Sequence, residues 1–344
     1  MKYLDFLSIV GVVTAFLTAC ADPQPAADAA VYLRYCALCH GEEGLGYQAD
    51  GANALANPTF LASVDDDFLR TAIVHGRPGT PMSAWSKALG GPLGDADVEA
   101  IIHWLRSKQP QDAAFLAGDA VGPGVADRGV AVYNVHCRSC HGEAGAGKPF
   151  LTINNPWFLH TISDAWLRHV IVHGRPDTPM PGFGQELTRQ NVDDLVVLIR
   201  SWQRPPTDQA TPAAPAQWPN PVQHAGSQSP DFASQSELYV EAAAVKAALD
   251  NQREIVLVDA RPTGDYSIFH LPGAVSVPFY AMADLAAQLP AEAWTVTYCG
   301  CPHAESTAAA QALIKAGHEK VKVLDEGILF WQAQGWPLHT GNLP

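Results

Sequence analysis

Apolar side chains at Val98, Ile101, Ile102 and Leu105 fall at three- and four-residue intervals, one face of a helix predicted from Asp95 to Ser107. The same spacing returns at Val192, Leu195, Val196 and Ile199. A segment from Asp65 to His75 opens on acidic residues, as a helix N-terminus favours, and stops at Gly76. Asp28 to Cys39 reads as a further helix. The periodicity fails over 203–231, "QRPPTDQATPAAPAQWPNPVQHAGSQSPD", which is rich in proline, alanine and polar residues and reads as a semi-extended, flexible linker. A helix is then predicted from about Ser236 to Asp250, followed by the apolar runs "IVLVDA", "WTVTY" and "VKVL" between helical or glycine-rich stretches. Strands alternating with helices predict an α/β layer with a largely parallel sheet.

The helical part is written twice. "CALCHGEEGLG" (36–46) returns as "CRSCHGEAGAG" (137–147), an offset of 101. "NPTFL" (57–61) and "IVHGRPGTPM" (73–82) return as "NPWFL" (155–159) and "IVHGRPDTPM" (171–180), both offset by 98. The first copy therefore carries three extra residues between Gly46 and Asn57. "IIHWLRS" and "VLIRSWQ" close the copies, with Trp104 and Trp202 again 98 apart. Self-similarity on this scale implies two tandem domains of one fold.

The 344 residues carry a formal charge of −14, which argues against a nucleic-acid or anionic-lipid partner and for a partner with a basic patch. At the N-terminus, Lys2 precedes an apolar run from Phe6 to Ala19, the length of an export signal and short for a membrane span. The run ends "LTAC" at residues 17–20, which resembles the lipobox of bacterial lipoproteins. That resemblance implies a signal peptide over 1–19, lipidation of Cys20, and a periplasmic protein tethered to a membrane. Soluble export with cleavage after the small pair Ala19 and Ala21 is the competing expectation.

Each copy holds Cys-x-x-Cys-His, the spacing of c-type haem attachment: Cys36, Cys39 and His40, then Cys137, Cys140 and His141. Two thiols three positions apart each form a thioether to a haem vinyl group, and the adjacent histidine lies under the iron. Among the four methionines, Met82 and Met180 occupy equivalent "TPM" positions, which points to them as the second iron ligands. His75 and His173 are duplicated too and are the rivals. With these motifs, residues 26–109 and 125–204 each resemble a class I cytochrome c domain. The resemblance implies a small all-α fold, two covalently bound c-type haems, proximal His40 and His141, and distal Met82 and Met180. Arg77 and Arg175, in "HGRP", suit pairing with haem propionates.

In the last third, Cys299 ends an apolar strand and precedes a helix predicted from about Glu305 to Ala316. Backbone N–H groups and the positive end of a helix stabilise a thiolate there, so Cys299 is a candidate nucleophile. "IVLVDARPTGDYSIFHLPGAVSVP" (255–278), "YCGCPHAES" and "VLDEGILFWQAQGWPL" (323–338) resemble a rhodanese domain over 234–341, after a linker at 205–233. The resemblance implies an α/β fold and a persulfide on Cys299. The loop departs from the family in having no lysine or arginine between Cys299 and Lys315, in the acidic Glu305, and in an extra cysteine, Cys301. Cys301 suits resolving a persulfide or sulfenate on Cys299, or forming a strained, easily reduced disulfide with it, and Cys299, Cys301 and His303 together suit a soft metal such as copper. The expected protein is a multidomain periplasmic electron carrier, two all-α cytochrome c domains followed by an α/β rhodanese-like domain. It exchanges electrons with redox partner proteins and couples thiol or persulfide chemistry at Cys299 to the haems. The alternative is a pure carrier whose last domain serves docking, redox sensing or metal binding.

Overall fold

The computed structural model describes residues 23–47, 49, 51–109, 121–147, 151–207, 220–233, 238–300 and 303–344. The apolar N-terminal run, Cys20 and Cys301 lie outside the described residues.

The first helical copy runs α1 (Pro23–Tyr35), α2 (Ala37–His40), α3 (Pro58–Ser63), α4 (Asp66–His75) and α5 (Asp95–Ser107). The second runs α6 (Ala126–His136), α7 (Arg138–His141), α8 (Pro156–Thr161), α9 (Asp164–His173) and α10 (Arg189–Ser201). The helix expected from Asp28 to Cys39 is interrupted, since Cys36 leaves ideal helical geometry at φ −112° and the one-turn α2 follows. In each copy the first and last helices pack against each other. A tyrosine of the first helix bonds the glycine after the histidine: Tyr32 to Gly41 O and Tyr133 to Gly142 O, both at 2.8 Å. An arginine of the last helix ties down the short helix before it. Arg106 donates to the carbonyls of Leu61 and Val64 and to Asp66, and Arg200 donates to Leu159, Ile162 and Asp164.

Those arginines correct the sequence alignment of the repeats. Leu61, Val64 and Asp66 precede their counterparts by 98, but Arg106 precedes Arg200 by 94. Four further residues of the first copy therefore lie between Met82 and α5. Trp104 and Trp202 are not equivalent positions but stand one helical turn apart. Both still reach the same partner, with Trp104 stacked on Tyr32 at 3.7 Å and Trp202 edge-on to Tyr133 at 5.1 Å. The four extra residues give the first copy room for a 3₁₀ turn, Lys87–Leu89, ended by Gly90 in the left-handed conformation.

The last third is an α/β layer. In chain order it runs β1 (Tyr239–Val240), α11 (Ala242–Asp250), β2 (Ile255–Asp259), α12 (Thr263–Ile268), β3 (Val275–Ser276), α13 (Met282–Leu285), β4 (Trp294–Tyr298), α14 (Ala304–Lys315), β5 (Val321–Leu324) and α15 (Gly327–Ala333). The strands are all parallel in the order β1-β5-β4-β2-β3. Every residue of β2 and β5 is buried, as a sheet covered on both faces requires. Val256 and Val258 enter one core layer, whereas Ile255 and Leu257 enter the other.

Two expectations change in this region. The helix predicted from Ser236 starts at Ala242, because Tyr239 and Val240 pair with β5 as an edge strand. Glu326, distant in sequence, accepts from the Ala242 N–H at 2.7 Å and caps the helix. The end of the predicted linker is also anchored: Gln223 pairs with Ile255, Ser227 bonds the Gln252 carbonyl, and Phe232 is buried against Trp294. Residues 220–233 thus belong to the α/β layer, since one large aromatic side chain gains more from burial than a short polar segment gains from freedom.

Candidate functional site

The two Cys-x-x-Cys-His turns have one geometry. His40 is buried, and its Nδ1 lies 2.8 Å from the Asn53 carbonyl; His141 Nδ1 lies 2.9 Å from the Leu151 carbonyl. Nδ1–H donating to a carbonyl leaves Nε2 unprotonated, the form that binds a metal. Burial lowers the pKa of both rings, which favours the same neutral form. The turns also keep their four cysteines unpaired and half-buried. Burial pushes the Cys36 thiol up to about 12 and the Cys137 thiol up to about 11, so neither is a ready thiolate.

The methionine loops repeat as closely. Arg77 N–H donates to Met82 O at 2.7 Å, and Arg175 N–H to Met180 O at 3.0 Å. Thr80 Oγ1 donates to the Arg77 carbonyl and accepts from Met82 N; Thr178 does the same between Arg175 and Met180. Gly76 and Gly174 start these loops at φ +61° and +68°, where a Cβ would overlap backbone of the loop's far side. The rival histidines have unlike surroundings. His75 stacks on Trp157 of the other copy at 3.8 Å, while His173 is exposed beside His169.

Arg77 is half-buried and Arg175 is buried, and desolvation lowers both, Arg77 to about 10. Among the described residues no carboxylate forms an ion pair with either, and Arg175 Nε is buried without a hydrogen-bond partner. A buried guanidinium without a counter-charge is costly, which suits it to an anion brought by a bound group. Two thiols, a neutral imidazole, a thioether and an uncompensated guanidinium in each copy fit a covalent haem with its propionates.

The two copies face each other across a pseudo-twofold relation that sequence reading missed. Asn57 caps α3 by accepting from Phe60 N, and its Nδ2 donates to Pro176 O of the other copy at 2.7 Å. Asn155 caps α8, and its Nδ2 donates to Pro78 O at 3.1 Å. Phe68 meets Phe158 edge-on, and Trp166 donates to Ser63. Arg175 crosses as well: it bonds the Ala54 carbonyl and lies over the Phe60 ring. Ala54 is the residue after Asn53, whose carbonyl holds His40. The repeated "NP" of the two copies was the available signal for the asparagines.

In the α/β layer Cys299 follows β4 and is fully buried, with Sγ 3.3 Å from Ser306 Oγ. Glu305, also buried, is raised well above the usual carboxylate range by desolvation and by the neighbouring Cys299 and Asp265. Asp265, which bonds Ser83 of the first copy, is raised too, chiefly by desolvation. Arg261 pairs in two-pronged fashion with Asp259, at 2.9 and 2.7 Å. His303 is turned to other partners, with Nε2 2.6 Å from Asp325 and its ring against Tyr239. His303 is half-exposed and Cys299 fully buried, and among the described residues, which do not include Cys301, no metal-holding cluster forms.

The helical copies match the family model described as cytochrome C oxidase, cbb3-type, subunit III, over residues 23–105 and 124–199. Residues 241–334 match the rhodanese-like domain model. The chain is similar to an HTH-type transcriptional regulator of Mycobacterium tuberculosis, 34% identical over 104 residues, 29% of this chain and 46% of that protein. It is similar to the cbb3-type cytochrome c oxidase subunit CcoP of Azospirillum sp. strain B510, 27% identical over 186 residues, 48% of this chain and 58% of that protein. Among solved structures it is similar to a thiosulfate sulfurtransferase of Pseudomonas aeruginosa, 28% identical, covering 32% of this chain and 22% of that one, with a TM-score of 0.29. The chain spans about half the length of these curated relatives. The helical part is of the cytochrome c class, whose domains carry covalently bound haem. More particularly, the chain joins cytochrome c domains of the cbb3 subunit III kind to a C-terminal rhodanese-like domain. No helix among the described residues is long and apolar enough to cross a membrane.

Proposed function

We propose that the protein is a dihaem electron carrier of the periplasm, anchored by lipid at Cys20, whose haems take electrons from thiol chemistry at Cys299. The observation that carries the dihaem reading is the repeated Nδ1-to-carbonyl contact at His40 and His141, which presents Nε2 of each ring as a ligand. Each haem, when bound, supplies reversible one-electron exchange. Cys36 and Cys39 hold the first covalently, and Cys137 and Cys140 the second. Met82 and Met180 would be the second iron ligands, a role supported by a loop geometry that repeats where the surroundings of His75 and His173 do not. Arg77 and Arg175 neutralise propionates, and a redox protein with a basic patch answers the charge of −14.

At the α/β layer, Cys299 Sγ accepts sulfane sulfur from a small persulfide: the donor's S–S bond breaks, a new one forms on Sγ, and the donor leaves as a thiol. Alternatively, Sγ joins a small thiol in a disulfide, releasing two protons and two electrons, which the haems, when bound, would accept one each. The absence of lysine and arginine between Cys299 and Lys315 sets the site against anionic thiosulfate. Incubating the reduced holoprotein with glutathione persulfide should add sulfur to the Cys299 peptide, seen by mass spectrometry, and a small thiol should reduce the haem bands of the oxidised protein. No adduct and no spectral change would leave the pure-carrier reading. Met82→Ala and Met180→Ala should each abolish half of any near-infrared methionine–iron band; unchanged spectra would return the ligand role to His75 and His173.

A further inference from the structure

The α/β layer sits on the first cytochrome copy by the edge that holds Cys299. A Cβ on Gly300 would lie 3.6 Å from the Cα of Pro81, the residue before Met82. Ser83, the residue after Met82, bonds Asp265. The helix that follows the Cys299 loop, α14, lies against α2, the turn that carries Cys39 and His40. Around these contacts, Arg34 donates to the Tyr280 carbonyl, and Tyr280 meets Tyr35 edge-on at 5.5 Å, next to Cys36. Trp85 packs against Phe279 and Tyr280. The four residues peculiar to the first copy complete the seat: Gly264 N–H donates to Gly90 O at 3.3 Å, and a Cβ on Gly264 would overlap the Leu89 carbonyl.

Among the described residues the second copy has no such cover. Ser83, Ala84, Trp85 and Ser86 after Met82 are buried, whereas Pro181, Gly182 and Gly184 after Met180 are exposed. Between the cysteines the contrast repeats in composition, with half-buried Ala37 and Leu38 against exposed Arg138 and Ser139. The three units therefore stand in the order α/β layer, first copy, second copy.

We infer that the first cytochrome copy is the internal redox partner of Cys299, with the Met82 loop serving as a wall shared by both sites, and that the second copy receives electrons only through the first. This rests on the proposed thiol chemistry for its electrons. The two released at Cys299 leave one at a time through the first copy, the earlier passing on to the second before the later follows. The shared wall also makes a separate claim, that a change at Cys299 is felt at the first haem alone.

Redox potentiometry of the holoprotein tests it. Met82→His and Met180→His each move one of the two potential components and so assign them. Cys299→Ser should shift the Met82 component and leave the Met180 component in place. Gly264→Ala, which forces the seat open, should abolish that shift while glutathione persulfide still loads Cys299. Ser83→Ala, which removes the hydroxyl bonded to Asp265, should weaken the shift and serves if Gly264→Ala does not fold. A shift in the Met180 component, equal shifts in both, no shift, or a shift undiminished in both seat variants would overturn the assignment. Sulfur loading reads the thiol chemistry separately: loading without a potential shift sinks the relay alone, and a shift without loading sinks the thiol chemistry alone.

Discussion

Glu305 occupies the first turn of α14, where the family resemblance led one to expect a basic residue near the reactive thiol. Burial, with Cys299 and Asp265 nearby, raises its carboxyl well above the usual carboxylate range. Its folded pKa is raised above the unfolded value of about 4.3, so the stability it contributes is complete below that pH and is lost as pH rises through the folded value. Glu305→Gln keeps the size and removes the titration. The variant should match the parent in acid and become the more stable one as pH rises above the carboxylate range, measured by denaturant unfolding at a series of pH values. Parallel stability curves for the two proteins across that range would show that Glu305 does not hold its proton. None of this was readable from sequence, where Glu305 is simply an acidic residue; its burial depends on the fit of α14 between the sheet and the first copy.

At the scale of elements, the "HGRPxTPM" loop is set by its first glycine. Gly76 and Gly174 combine positive φ with a Cα that faces backbone of the returning strand of the loop. Gly76→Ala should cost roughly 1–3 kcal/mol from backbone strain alone, with more from the overlap, and should displace Met82. Loss of the near-infrared methionine band of the first haem, with the second intact, is the measurement; Gly174→Ala should do the reverse. Most helices were legible from apolar spacing and acidic starts, and Asp95–Ser107 was predicted to the residue. The short β1 and β3 were not, because two residues show no period and their strand character comes from the partner they pair with. The repeat itself was legible from its motifs. The four-residue difference near its end was not, because the matching tryptophans suggested a constant offset that the arginine clamps contradict.

Across the whole molecule, the two copies are held in register by a reciprocal pair of asparagines. Each side chain spends its oxygen on its own helix and its nitrogen on the other copy. Asn57→Ala and Asn155→Ala should each cost about 1 kcal/mol from the lost cap, with a further loss from the crossing bond. The double variant should loosen the contact between copies, seen as faster hydrogen exchange in α3 and α8 and slower electron exchange between the haems. Unchanged exchange in both would assign the register to the Phe68–Phe158 and His75–Trp157 contacts instead.

Local chemistry was determined by the sequence alone. A Cys-x-x-Cys-His turn, a methionine at a repeated position and a thiol after an apolar strand are defined by residue types a few positions apart, and short-range geometry follows from spacing. Which of the two methionine loops the α/β layer packs against, which arginine crosses to the other copy, and the packing of residues 220–233 of the predicted linker were decided only by the tertiary structure. These depend on residues tens to hundreds of positions apart, such as Gly264 on Gly90 and Asn57 on Pro176. Contacts of that range leave no period in the chain, because each is one surface meeting another after both have folded.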